Sequence, residues 1–227
     1  MVIHLTRLLN NKKEILIFWI WITLSTAVLA SATGMRPYTI DLPQHVLHFA
    51  LPEEMAREMA PTQVMAQFRG NDSAFLKDDF RVLAFHLYDF NGPFWVGANG
   101  SLKFSATMIK GSAEFHGDIG TLSGLDQHVR WWAQQLTSIN FAYTKEVIGG
   151  KTWIARLQNT FNSPITPEEP NAVDLIVYSL PLDKEMFLEI GFRMTEWAPG
   201  RAKKWKAKAE GYREAIKATV VLEQKPK

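Results

Sequence analysis

Residues 173–196, VDLIVYSLPLDKEMFLEIGFRMTE, decide the fold of this chain. Two apolar runs, 173–178 and 186–194, flank Leu180-Pro181-Leu182-Asp183, and this pattern predicts two strands joined by a tight connection. Downstream, residues 201–216 place Ala202, Trp205, Ala209, Tyr212 and Ile216 on one helical face. The short apolar run 220–222 can then return to a sheet.

Working back from there, residues 141–147 and 151–158 around Gly149-Gly150 read as a hairpin. Leu125, Val129, Trp132 and Leu136 form one apolar stripe of an earlier helix, with Ser123 as its N-cap and Asp126 three residues on. Leu102, Phe104, Ala106 and Met108 alternate as a strand. RVLAFHLYDF, residues 81–90, carries apolar residues on both faces and predicts a central strand covered on both sides. YTIDLPQHVLHFAL, residues 38–51, reads as a strand pair broken at Pro43. Residues 53–59 make a helical turn or two, and 64–68 could form another strand. The chain shows no internal repeat, low-complexity tract or long linker. The expectation is an α+β fold: a mostly antiparallel sheet with two amphipathic helices packed on one face, in a single domain over residues 33–227.

The first 32 residues read as an address. Arg7, Lys12 and Lys13 precede an uncharged run at 15–30, ILIFWIWITLSTAVLA, which ends in Ala30-Ser31-Ala32, the small-x-small pattern of a signal-peptidase site. Sixteen helical residues reach about 24 Å, short of a hydrocarbon core of about 30 Å. Including residues 31–35 makes the run long enough to span. The run reads as a cleaved signal peptide, then as a retained inner-membrane anchor through residues 15–32, and last as a buried core helix; the first two send the remainder to the periplasm.

Composition removes several function classes. The 227 residues are 47% hydrophobic, 12% aromatic and 21% charged, with no Cys. Thiol catalysis, Cys-based zinc sites, iron–sulfur clusters and lipidation on an N-terminal Cys are excluded. The 25 Lys and Arg fall to 22 without the leader, and the 23 Asp and Glu fall to 22. A neutral body argues against a nucleic-acid partner.

Chemistry-bearing motifs are sparse. His45 and His48 in HVLH point to opposite faces of an extended segment, which does not suit a shared metal. His86 sits within an apolar strand and reads as a core histidine. His128 lies beside Trp131 and Trp132 at the edge of its helix's buried face. Only GSAEFHGDIG gathers a His with two carboxylates, His116, Asp118 and Glu114, in a loop that could do acid–base work or simply be solvated. There is no G-x-S-x-G, G-x-G-x-x-G or Walker A loop, so no catalytic residue, cofactor or metal is expected. Arg201, Lys203, Lys204, Lys206, Lys208, Arg213 and Lys217 against Glu210 and Glu214 give the last helix a local charge of +5. That face is either solvated cover for Trp205 and Tyr212 or a docking surface for an acidic partner or anionic lipid. Phe90-Asn91-Gly92-Pro93-Phe94-Trp95 is an aromatic turn that either folds back on the core or serves as an interface anchor.

The run VDLIVYSLPLDKEMFLEIGFRMTE, the helix AKKWKAKAEGYREAI and the short closing strand together resemble the closing half of small exported PsbP-like or DcrB-like α/β proteins. The same segment is similar to the C-terminal part of periplasmic immunity proteins that neutralise type VI secretion effectors. The two strand-Leu-Pro steps at Leu42-Pro43 and Leu51-Pro52 fit that picture. The likeness covers about a third of the chain and departs from the lipidated members, because there is no Cys to acylate.

What the resemblance implies is binding without catalysis: a periplasmic immunity protein that occludes a toxin's active site. On this reading Phe94, Trp95, Arg201, Lys204 and Lys208 are the contact residues, with a cognate toxin or effector as protein partner. Two alternatives stand beside it: an envelope hydrolase using the His116 loop, and a membrane-tethered accessory factor.

Overall fold

Gly149 and Gly150, at φ 56° and 75°, turn the chain in the left-handed region that a two-residue hairpin of matching twist requires. They join β5 (Ala142–Ile148) to β6 (Lys151–Asn159), the outer hairpin of a six-stranded sheet. β7 (Val173–Pro181) and β8 (Met186–Glu196) follow, and the Asp183 carboxylate closes their turn by accepting hydrogen bonds from the backbone N–H of Glu185 and Met186, each at 2.8 Å. β3 (Phe80–Asn91) and β4 (Ala98–Lys110) complete the order β3-β4-β8-β7-β6-β5, antiparallel throughout. A second sheet of β1 (Met35–Asp41), β2 (His45–Pro52) and β9 (Val221–Gln224) is ordered β1-β2-β9. Three helices, α1 (Glu53–Glu58), α2 (Leu122–Gln135) and α3 (Lys204–Thr219), connect or cover the strands.

These elements come from a computed structural model, which describes residues 34–58, 80–91, 98–135, 141–159, 173–197 and 204–226. The leader and the expected strand at 64–68 lie outside the described residues. Among the described residues no helix is long and apolar enough to cross a membrane.

The main core fills the space between the two sheets. Leu47, Phe49 and Leu51 of β2 meet Phe104 and Met108 of β4, Leu188, Ile190 and Phe192 of β8, and Trp153 and Tyr178. Tyr38, Phe49, Phe104 and Phe192 form a stack with successive ring centroids 5.4, 5.0 and 5.5 Å apart. α3 closes this layer through Trp205, Ala209 and Ile216, the apolar face its spacing predicts.

The α+β expectation holds, and three placements inside it are corrected. The two long helices lie on opposite faces of the six-stranded sheet. Neighbouring residues of β6 show this: Ala155 belongs to the core with α3, whereas Ile154 packs with Leu125 and Val129 of α2. β3 is an edge strand and not a central one. A register shift between Val82 and Ala84 buries Leu83 and Ala84 together, and beyond it Tyr88 and Phe90 face the core while the half-buried Phe85 and Leu87 face the other side. Finally, Thr121 and not Ser123 caps α2, since its Oγ1 accepts a hydrogen bond from the backbone N–H of Gly124 at 3.1 Å.

Candidate functional site

α2 covers only one end of the six-stranded sheet's second face. Along β4 and β8 the residues facing that side pair as Lys103 with Arg193, Ser105 with Gly191, Thr107 with Glu189 and Ile109 with Phe187. α2 docks over the last of these rows, with Leu125, Val129, Ile119, Ile154 and Phe187 as a small core. Between the helix and the strands runs a groove of about 780 Å3, within the range of small-ligand sites. Its apolar walls are Phe80, Ile109, Val129, Trp131, Trp132 and Phe187. Trp132 stands at its rim, 44% exposed.

Two polar groups line this apolar groove and are themselves buried. Arg156 donates from Nη2 to Glu189 Oε1, which also accepts from Ser179 Oγ at 2.9 Å. The guanidinium lies 5.5 Å from the Trp132 ring centroid. Its Nε has no hydrogen-bond partner among the described residues. His128, 4% exposed, accepts the backbone N–H of Ser112 at Nε2, 3.2 Å away. Burial first, then the nearby Arg156 charge, lowers its pKa, so the ring is neutral and carries its proton on Nδ1. That N–H also finds no partner among the described residues.

A smaller hollow of about 150 Å3 continues the groove along the sheet and shares Thr107 and Glu189 with it. Lys103 and Arg193 sit there, directly opposite each other, with no carboxylate in ion-pair contact among the described residues. Burial, then Arg193, lowers the pKa of Lys103.

The residues singled out from sequence fall elsewhere. His116, Asp118 and Glu114 share a loop, but none of their side chains bonds to another. The Asp118 carboxylate instead accepts the backbone N–H of Gly120 at 2.9 Å, a turn contact beside the start of α2. His45 and His48 remain on β2, and His48 Nδ1 lies 3.1 Å from Thr39 Oγ1. Among the described residues no cluster of His, Asp and Glu could hold a metal. His86 is in the core, 1% exposed.

The basic helix is largely neutralised from within. Lys206 pairs with Glu196 at 3.1 Å, Lys208 with Glu54 at 2.6 Å and Arg213 with Asp174 at 3.2 Å. Lys217 pairs with Glu146 at 3.3 Å. Lys208 is therefore a tie between α3 and α1, while Lys204 is exposed. Phe94, Trp95 and Arg201 lie outside the described residues.

The groove and its charged row escaped the sequence analysis. The available signal was charge inside apolar strands: Lys103, Glu189 and Arg193 each sit between two buried residues, and Arg156 between the buried Ala155 and the half-buried Leu157.

No family model matches the chain, and no curated protein sequence does. The PsbP-like, DcrB-like and immunity-protein resemblance is therefore one of cadence. Among solved structures, LpqN of Mycobacterium tuberculosis, described as involved in cell envelope biogenesis, aligns with a TM-score of 0.41 at 8% identity, covering 87% of this chain and 96% of that one. A structure from Bacteroides thetaiotaomicron aligns with a TM-score of 0.28 at 17% identity, over 66% of this chain and 43% of its own. Superpositions this loose bear on neither the site nor the activity.

Proposed function

We propose that this chain is a non-catalytic binding protein of the periplasm that holds its ligand in the groove between α2 and the open face of the six-stranded sheet. One observation carries this: an apolar groove of about 780 Å3 opens between α2 and the sheet, with Trp132 44% exposed at its rim. The periplasmic location rests on the leader, Arg7 to Ala32, and on the signal-peptidase pattern at its end.

The test is capture from envelope extracts on wild-type protein and on Trp132→Ala, followed by mass spectrometry of proteins and small molecules. One species retained by the wild type and lost from Trp132→Ala is the expected result. Equal retention by both proteins sinks the groove as the binding site.

A second, narrower reading is an immunity protein whose guest is an element of a type VI toxin. The exposed Trp132 over Arg156 favours it, since Trp and Arg are the side chains that most often anchor protein interfaces. Deleting the gene should leave cells open to intoxication by their kin. Unchanged survival in competition removes this reading and leaves the first intact. The hydrolase alternative predicts an activity that His116→Ala abolishes.

A further inference from the structure

Lys103 and Arg193 are an unusual pair to find facing each other across a ladder. Like charges directly opposite on neighbouring strands repel, and neither has an acidic partner among the described residues. Burial that lowers the Lys103 pKa adds to the cost of keeping it charged there. An anion between them removes both penalties.

The next row explains how such an anion could connect to the groove. Ser105 and Gly191 face each other, and a Cβ on Gly191 would stand 2.9 Å from Ser105 Oγ. These two small residues form part of the floor of the hollow between the cationic row and the aromatic wall. From the Lys103 row to the Phe187 row is six residues of strand, about 20 Å. Arg156 stands in register with Val177, which pairs with Gly191, and its guanidinium reaches one row further to Glu189.

Taking the groove as the binding site, we propose that its ligand is a single-chain anionic lipid, an acylglycerol phosphate. Its phosphate sits between Lys103 and Arg193, and its acyl chain lies beneath Trp131 and Trp132. The chemistry fits at both ends: charge meets charge, with the Glu189 carboxylate on the way already held by Arg156, and methylenes meet Phe80, Val129 and Phe187. A peptide laid along the same path would bring a backbone N–H and C=O with every residue, far more polar groups than the aromatic end can satisfy.

The experiment uses the full chain reconstituted as the cell makes it, with two photoreactive probes of equal acyl length. One is lysophosphatidate and the other is the monoacylglycerol that lacks the phosphate. Labelled peptides are mapped by mass spectrometry. Lysophosphatidate should label the Trp131–Trp132 peptide at least about tenfold more than monoacylglycerol, as a charge-assisted contact implies. Arg193→Gln, an exposed change that leaves the fold alone, should bring lysophosphatidate down to the monoacylglycerol level without moving the latter.

Equal labelling by the two probes, or indifference to Arg193→Gln, overturns the anionic lipid while the groove stands as a binding site. If neither probe labels the Trp131–Trp132 peptide, the lipid proposal fails. The envelope capture then decides the groove reading: a species held by the wild type and lost from Trp132→Ala keeps it, and equal retention by both proteins ends it.

Discussion

The two faces of the six-stranded sheet are built from the same strands and have opposite characters. The inner face is dry and closed by the three-stranded sheet and α3, with Leu102, Phe104, Ala106 and Met108 each 0% exposed. The outer face takes the alternate residues of those strands, Lys103, Ser105 and Thr107, and among the described residues α2 caps it at one end. Stability is concentrated on the first face, and the groove and the charged row lie on the second. A sheet with one face fully committed to the core can leave the other free for a ligand.

The largest effect that tests this contrast is Phe104→Ala on the inner face. The ring packs at a tilt between Phe49 and Phe192, and its loss should cost about 4 kcal/mol in denaturant unfolding. A cost below about 1 kcal/mol would show that the two sheets are not tightly packed.

Next is Glu189→Gln on the outer face. It leaves the Arg156 side chain, 6% exposed, without its counter-charge, and should cost about 3 kcal/mol. If stability is unchanged, water reaches this pair and the groove floor is wet.

Acid sensitivity divides between the faces. His86 inside and His128 outside both have pKa values lowered by burial, His128 by the Arg156 charge as well, while the unfolded chain takes up protons near 6.5. Unfolding is therefore favoured as pH falls below that value. His86→Phe and His128→Phe should each flatten the pH dependence of the melting temperature between pH 7 and about pH 5. A curve unchanged by both variants sinks this assignment.

Trp132→Ala should move stability by no more than about 0.5 kcal/mol, because the side chain is 44% exposed, while ligand retention falls. Parallel loss of both would make Trp132 structural.

The smallest effect is expected at Glu54. Hydrogen bonds from Lys208, then Tyr212, pull its carboxyl down to about 2. The resulting stabilisation is present above the ordinary carboxylate value of 4.5 and fades as pH falls toward 2. With the side chain 59% exposed, solvent screens the pair, and Glu54→Gln should cost under about 0.5 kcal/mol.

Much of the fold was legible in local pattern. The β7–β8 pair, the Gly149-Gly150 hairpin and the apolar face of α3 follow from periodicity and turn chemistry, which act within a few residues. The site was not legible in this way. Lys103, Arg156, Glu189 and Arg193 lie on three strands, 90 residues from first to last, and only the β4–β8 and β6–β7–β8 ladders bring them to one surface. The seven cations of residues 201–217 teach the reverse lesson. Their charge was plain in the sequence, but Glu54, Glu146, Asp174 and Glu196, which neutralise four of them, come from elsewhere in the chain.

The sequence by itself determined the main strands and helices among the described residues, the α+β class and the absence of Cys chemistry. Each of these depends on neighbours along the chain or on composition. Tertiary structure alone decided that α2 and α3 take opposite faces, that β3 lies at an edge and that a charged row opens into an aromatic groove. Those outcomes depend on which strand pairs with which, and pairing is set by the burial of distant residues against one another.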